Sequence, residues 1–406
     1  MTLPFTLLVQ LSWRNLWRHR RRNGMLLAAI LVAVGTVVFA NAVIRGYQGD
    51  MLNDAVNNLA GHVKVLAPGY RADPSIDKSF TIAPDWQPPL DPSLVLGWTS
   101  RVRVPAVIMS ERETRGVQLV GVDPERETLI SFLGEVDIIG GYLEGPADRR
   151  VLIGKALAEQ LDTRLGRRIV MITQGSDGLN REAGFRIVGL YDGEGTGVEK
   201  VFVFTGRETL QTLLDTTAIT EISVRLIADE YGALAGRQLA ASFSDLEVMG
   251  WRELQPQIAA MFAFADAAIF IWFTIMMIAL GFGLINTLVT AVLERTRELG
   301  MLRALGMRPR AVVAQVVIES VLIIGVGLVL GLAVGVWLVS LLDEGIDLGR
   351  WAAGVEMFGM RTVLVPRLLV ADLVLVAIMT MIFGLIASFY PALRAVRIKP
   401  LEAMRR

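Results

Sequence analysis

Four stretches of the chain run uncharged for long enough to cross a bilayer. They are Met25–Ile44, Ala267–Leu293, Ser320–Leu342 and Leu373–Leu393. About 20 apolar residues in helix suffice to span the hydrocarbon core. A buried helix of a soluble protein rarely continues so far without a charge, so the pattern predicts four transmembrane helices. The first stretch follows a polar start and lacks a small-x-small cleavage site, which reads as a retained anchor rather than a signal peptide.

Between the first and second stretches the pattern changes to short alternating runs. These predict strands at Gly61–Pro68, Gly116–Val122, Val151–Ile153, Arg168–Thr173, Phe185–Tyr191, Lys200–Phe204 and Glu221–Leu226. Helical spacing appears at Lys155–Leu161 and Arg207–Leu214, and Asp73–Pro92, rich in Pro and Asp, reads as loop. A helix bent at Pro256 is expected over Trp251–Ala265, leading into the second span. The expected fold is an α+β membrane protein with four transmembrane helices and a large mixed α/β domain inserted between helices 1 and 2. The expected division is 1–24 an interfacial amphipathic helix, 25–45 the first span, 46–257 the inserted domain, 258–293 a stalk and second span, and 294–310 a short helix at the membrane surface. The third span is 311–342, a loop is 343–366, the fourth span is 367–393 and the tail is 394–406.

Composition supports the membrane reading, with 53% of the 406 residues hydrophobic. Net charge is zero, but its distribution sets the orientation. The segments flanking the spans at 14–22, 294–310 and 394–406 together hold fifteen Lys and Arg against three acidic residues. Basic flanks stay in the cytoplasm, and with four spans all three fall on one side, so both termini are expected to be cytoplasmic. Residues 46–257 carry 21 basic and 30 acidic residues and are expected outside, as a periplasmic domain.

Enzyme chemistry finds little to work with. The chain has no cysteine and only two histidines, His19 and His62, which excludes disulfides, thiolate metal sites and an HExxH zinc site. No GxxxxGK[ST] or GxSxG occurs. His62 reads as a structural residue at a strand start. The expectation is no catalytic residue, no metal and no cofactor bound by this chain.

The segment Glu294-Arg-Thr-Arg-Glu-Leu-Gly-Met-Leu-Arg-Ala-Leu-Gly places Leu299, Leu302 and Leu305 at three-residue spacing among charges, with Gly306 and Pro309 to end it. That describes a short amphipathic helix on the membrane surface. This segment resembles the coupling helix of the FtsX-like (MacB/LolCE-type, mechanotransmission) ABC transporter permease family. The closing run Tyr390-Pro-Ala-Leu-Arg-Ala-Val-Arg-Ile-Lys-Pro-Leu-Glu-Ala-Met-Arg, and Gly61-His-Val-Lys-Val, Gly121-Val-Asp-Pro and Ile153-Gly-Lys-Ala-Leu-Ala, are similar to segments of that family too.

The resemblance implies a permease of the bacterial inner membrane that works as a dimer with an identical or homologous permease. A separate ABC ATPase, two copies with their ATP and Mg, would sit beneath it. It implies that Glu294, Arg295, Arg297, Glu298, Leu299, Leu302 and Arg303 dock on the ATPase. Length and domain size resemble the lipoprotein-releasing permeases most. The polar turn Gln174–Gly184 is shorter than the carrier-capturing loop of one permease in that group. That turn departs from the group's pattern; lipoprotein extraction from the outer leaflet, with a periplasmic carrier as a further partner, is the activity the rest of the resemblance implies. The alternative is a mechanotransmission permease that exports another substrate or regulates a periplasmic enzyme or sensor. Val37, Phe39, Phe270, Ile271 and Phe273 are candidates to line an acyl-chain cavity. Gly327, Gly331 and Gly335 form a GxxxGxxxG face on the third span, suited to close helix packing either within the subunit or across a dimer. Glu319 is expected to pair with Arg295 or Arg303, and Asp372 reads as an unremarkable helix-end residue.

Overall fold

The computed structural model describes residues 10, 14, 20–193, 197–294, 301, 308–347 and 363–396. The first described element is a long helix, α1 (Arg20–Ala55), which continues into a π turn, Val56–Ala60. The strands β1 (Val63–Leu66), β2 (Val95–Met109) and β3 (Thr114–Val122) follow, then α2 (Pro124–Ile130), β4 (Ile138–Gly140) and β5 (Arg150–Gly154). Next come α3 (Lys155–Gln160), β6 (Arg168–Gln174), β7 (Asn180–Tyr191), β8 (Phe202–Gly206), α4 (Arg207–Leu214) and β9 (Glu221–Leu226). The helix α5 (Gly232–Ser242), the strand β10 (Glu247–Gly250) and a single turn, α6 (Trp251–Leu254), lead to α7 (Pro256–Glu294). The remaining helices are α8 (Pro309–Ser340) and α9 (Val370–Val396), with a two-residue pairing of β11 (Ile346–Asp347) and β12 (Val363–Leu364) between them. Contacts divide the chain into two compact units. One is Asp50–Met261; the other joins the residues up to Gly49 with those from Phe262 onward.

The helical unit is built from α1, α7, α8 and α9, each long and apolar enough to cross a membrane. Their contact is an apolar cluster of Ile30, Val34, Val37 and Val38 from α1 with Phe273 and Met277 from α7, Ile323, Ile324 and Leu328 from α8, and Val376 and Ala387 from α9. α7 begins at Pro256 instead of bending there, because Gln255 leaves the helical region and proline takes the first position of the new helix.

The sheet unit holds strands in the order β10-β1-β9-β2-β3-β8-β5-β7-β4, with β6 joining β2 to β7 off this path. β2 serves two neighbourhoods. Its first half, to Arg101, pairs with β9, and its second half, from Val102, pairs with β3 and at its end with β6. One sheet face packs a core that includes Val104, Ile108, Leu119, Ile153, Met171, Ile187, Val203 and Leu210. β3 pairs parallel with β8 and β5 parallel with β7, whereas the other pairings are antiparallel.

Candidate functional site

Three clusters of polar or small residues stand out against these apolar frames. In the helical unit, Arg45 of α1 draws together two acidic residues from other helices. Its guanidinium donates to both oxygens of Asp372 on α9, from Nε at 2.9 Å and from Nη2 at 3.1 Å. Nη1 donates to Asp266 of α7 at 2.8 Å and to Gln48, one turn further along α1, at 2.9 Å. The Gln48 amide in turn donates to Asp266 at 3.3 Å. Asp372 is thus one pole of an ion-pair network rather than the unremarkable helix end expected from sequence. The planar fork of arginine suits this bridging, since it presents donors along two edges at once.

The two carboxylates are unequal. The Asp372 side chain is 14% exposed and the Asp266 side chain 56%. Replacing Asp372 by Asn is expected to cost about 1–3 kcal/mol, the range for losing a charged hydrogen-bond partner out of water. Asp266→Asn is expected to cost under about 1 kcal/mol, as for exposed ion pairs. Denaturation of the purified protein by titrated SDS measures both.

The second cluster is a seam of small residues. Gly327, Gly331 and Gly335 of α8 face Ile30, Val34 and Val38 of α1 in the same subunit. A Cβ built on each glycine would lie 2.7–2.9 Å from the Cβ of its partner, closer than side-chain atoms pack. The absence of side chains on α8 therefore lets the two backbones approach, and the seam is filled by this chain's own first helix.

The third cluster lies in the sheet unit, where the chain leaves α1 through the π turn. Leu59 is held at φ 64°, a conformation costly for a residue with a Cβ, and Gly61 follows at φ 67°. The Leu59 carbonyl accepts from Arg101 Nη1 at 2.8 Å and from Ser223 Oγ at 3.3 Å. Arg101, fully buried, also makes a two-pronged ion pair with Glu127 of α2, at 2.9 and 2.8 Å, and reaches Glu221 of β9 at 3.1 Å. Glu221 accepts in addition from Lys64 of β1 at 3.1 Å. Burial would raise the Glu221 carboxyl, but Lys64, Arg101 and Arg103 outweigh it and hold the group below the usual carboxylate range. α2, β9 and the exit from α1 thus meet on the guanidinium that β2 carries, with β1 joining through Glu221.

His62 adjoins this cluster. Its Nδ1 accepts from the Leu226 amide at 3.1 Å, the structural role expected of it. Burial pushes its imidazole below the ordinary value of 6.5, against the pull of Asp229 and with the push of Arg225. In the pH range between its lowered folded value and 6.5 the unfolded chain binds the extra proton, so stability rises with pH there. Thermal midpoints are expected to fall as pH drops below about 6.5, and His62→Gln to flatten that slope; a slope unchanged by the substitution would assign the effect elsewhere.

The other expected site residues are dispersed. Val37 and Phe273 are enclosed in the apolar cluster of the helical unit, Phe39 is half-buried, and Phe270 and Ile271 are exposed on α7. Val37 and Phe273 thus meet in one cluster, and the exposed Phe270 and Ile271 lie outside it. Glu294 ends α7, while Arg295, Arg297, Glu298, Leu299, Leu302 and Arg303 lie outside the described residues. Glu319 is buried on α8, and the arginines expected to pair with it also lie outside that range. Among the described residues no group of three His, Cys, Asp or Glu is placed to hold a metal ion.

Comparison with known proteins accounts for this architecture. The family model for the MacB-like periplasmic core domain matches residues 24–241, more than half the chain, and that for the FtsX-like permease C-terminal region matches 270–400. The chain belongs to the FtsX-like family of ABC transporter permeases. Among FtsX-like relatives, the lipoprotein-releasing system transmembrane protein LolC of Xylella fastidiosa is 24% identical over 406 residues, covering 96% of each chain. The macrolide export ATP-binding/permease protein MacB of Nitrobacter winogradskyi is 33% identical over 132 residues, covering 32% of this chain and 18% of its own. The periplasmic region of MacB from Actinobacillus actinomycetemcomitans aligns with 50% of this chain and 94% of its own, at 11% identity and a TM-score of 0.35. The protein is an FtsX-like permease of the LolC/MacB type with four apolar helices and a MacB-like domain. Its family works with an ATPase and a permease partner.

Proposed function

We propose that this permease extracts lipoproteins from the outer leaflet of the bacterial inner membrane, driven by a separate ATPase. The observation that carries the reading is coverage. LolC relatives match 96% of the chain from end to end, whereas the more identical MacB relatives match about a third of it. In this reading both termini are cytoplasmic and the sheet unit is a periplasmic domain inserted between the first and second spans. Glu294, Arg295, Arg297, Glu298, Leu299, Leu302 and Arg303 couple to the ATPase. Movement imposed there travels along the helices, with α1 as the lever, since the Arg45 network and the glycine seam tie it to α7, α9 and α8. In this reading Phe270 and Ile271, exposed on α7, line an acyl-chain cavity together with a second permease.

The test is reconstitution. The permease, its partner permease and its ATPase are placed in proteoliposomes with an acylated lipoprotein, and release into the soluble fraction is followed on adding ATP and a carrier protein. ATP-dependent release, lost in a Glu298→Lys, Leu302→Arg variant that no longer retains the ATPase, is the expected result. ATP turnover with the lipoprotein retained would transfer the assignment to export of another substrate or to regulation. Because the chain has no cysteine, single cysteines placed at Asp177 and Arg303 report orientation by labelling with an impermeant maleimide.

A further inference from the structure

One end of the sheet unit concentrates positive charge in a hollow. The tip of the β2–β3 hairpin and the loop from α3 to β6 enclose a groove of about 330 Å³, lined by Ser110, Glu111, Arg112, Asp162, Thr163, Arg164, Arg167 and Arg168. Four of these are arginines and two are carboxylates. The carboxylates are already engaged, Asp162 with Arg112 and Glu111 with Arg167 at 3.9 Å. Arg164 and Arg168 have no carboxylate partner among the described residues.

The sheet adds to the imbalance. Arg168 of β6 stands directly opposite Arg186 of β7, and Arg186 stands opposite Arg150 of β5. Among the described residues only Arg150 of this row has a carboxylate partner, Asp148 and Glu144. Like charges directly opposite one another across strands are destabilising, so this row opposes folding. The groove is thus a local concentration of positive charge on a unit that is acidic as a whole, since residues 46–257 hold 30 acidic side chains against 21 basic.

The way the loop is built keeps the hollow open. α3 ends in a Schellman turn, with the Thr163 amide bonded to the Ala158 carbonyl at 3.0 Å and the Asp162 amide to Glu159 at 3.1 Å. The left-handed position, usually glycine, is Asp162 at φ 47°. Its carboxylate holds Arg112 at one wall while Arg164, Arg167 and Arg168 line the other sides. Ser110 braces the hairpin tip, donating to the Leu161 carbonyl at 2.7 Å.

We propose that this groove binds a phosphate-bearing ligand, with Arg164 and Arg168 as its principal contacts and Arg112, Arg167 and the Thr163 hydroxyl completing the shell. Guanidinium pairs match the oxygens of a phosphate in geometry and charge, and a concave site concentrates the field of its cations. The lining is polar, which fits a compact anionic head and leaves an acyl chain or an apolar peptide nothing to contact. The phosphate can be that of a soluble ester or of a lipid headgroup.

The full-length permease in nanodiscs of zwitterionic lipid is titrated with pyrophosphate by calorimetry, and in a second arm with vesicles carrying phosphatidic acid. Saturable binding in the first arm alone identifies a soluble ligand, and in the second a headgroup; either supports the site. The Arg164→Gln, Arg168→Gln double variant is expected to bind about 10-fold or more weakly, as losing charged hydrogen bonds implies. Its thermal midpoint should be unchanged or higher, since it removes repulsion. Arg237→Gln, remote on α5, should bind like the wild type. Absence of binding in both arms overturns the proposal, as does undiminished binding by the double variant, or displacement of pyrophosphate by poly-aspartate at equal charge concentration, which would mark a protein-docking surface.

Discussion

Arg101→Met is expected to cost the sheet unit about 3–5 kcal/mol, the range for breaking a buried ion pair from one side. The substitution preserves much of the volume but leaves Glu127 and Glu221 buried, and Glu127 loses both of its hydrogen bonds from Arg101, at 2.8–2.9 Å. It also frees the carbonyl of Leu59, whose left-handed backbone then has less to hold it. Domains of this size are stable by about 5–15 kcal/mol, so the loss takes a large share. Denaturant unfolding followed by tryptophan fluorescence measures it. Adding Glu127→Gln should recover part of the loss, because it discharges the stranded carboxylate. A variant with Arg101→Met alone as stable as the wild type would remove the case for this cluster as what holds the turn at Leu59.

The second large effect is expected at the glycine seam. In Gly331→Val the new Cβ lies 2.7 Å from Val34 Cβ and 3.2 Å from the Leu31 carbonyl of the same helix, backbone that cannot rotate away. α1 and α8 must separate, costing on the order of 1–3 kcal/mol as overpacking does. Gly331→Ala is the milder case and Gly325→Val the control, since a Cβ at Gly325 meets nothing within 4 Å. Resistance to SDS denaturation should follow the order Gly325→Val, Gly331→Ala, Gly331→Val. If instead only dimer assembly changes, with the single subunit as stable as before, the seam serves a second copy and not α1.

How much of this was legible in the sequence depended on whether the cause was local. β9 and α4 were read at their observed limits, Glu221–Leu226 and Arg207–Leu214, because alternation and helical spacing are carried by neighbours in the chain. β2, Val95–Met109, carries no such local signal. Arg101, Arg103 and Pro105 interrupt its apolar pattern, and what makes Arg101 acceptable in the core is a pair of carboxylates 26 and 120 residues away. No window along the chain contains them.

The Arg45 network was partly legible. Arg45 directly follows the first uncharged stretch, and Asp266 and Asp372 directly precede the second and fourth. Three charges of opposing sign, each at a span boundary, were a signal available for pairing. The glycine face was visible as a motif, but its partner was not, since any apolar helix could have filled it. The arginine groove was hidden for another reason: Arg112 and Arg164 come from separate turns that only the Schellman exit of α3 brings together.

A single strand, β2, gives its first half to one set of neighbours and its second half to another. A rotation of one set against the other would have to fracture that strand between Arg101 and Val102, where its neighbour changes from β9 to β3. Deuterium uptake should therefore be slowest along β2 and rise in both sets at the same denaturant concentration, as in a single cooperative unit.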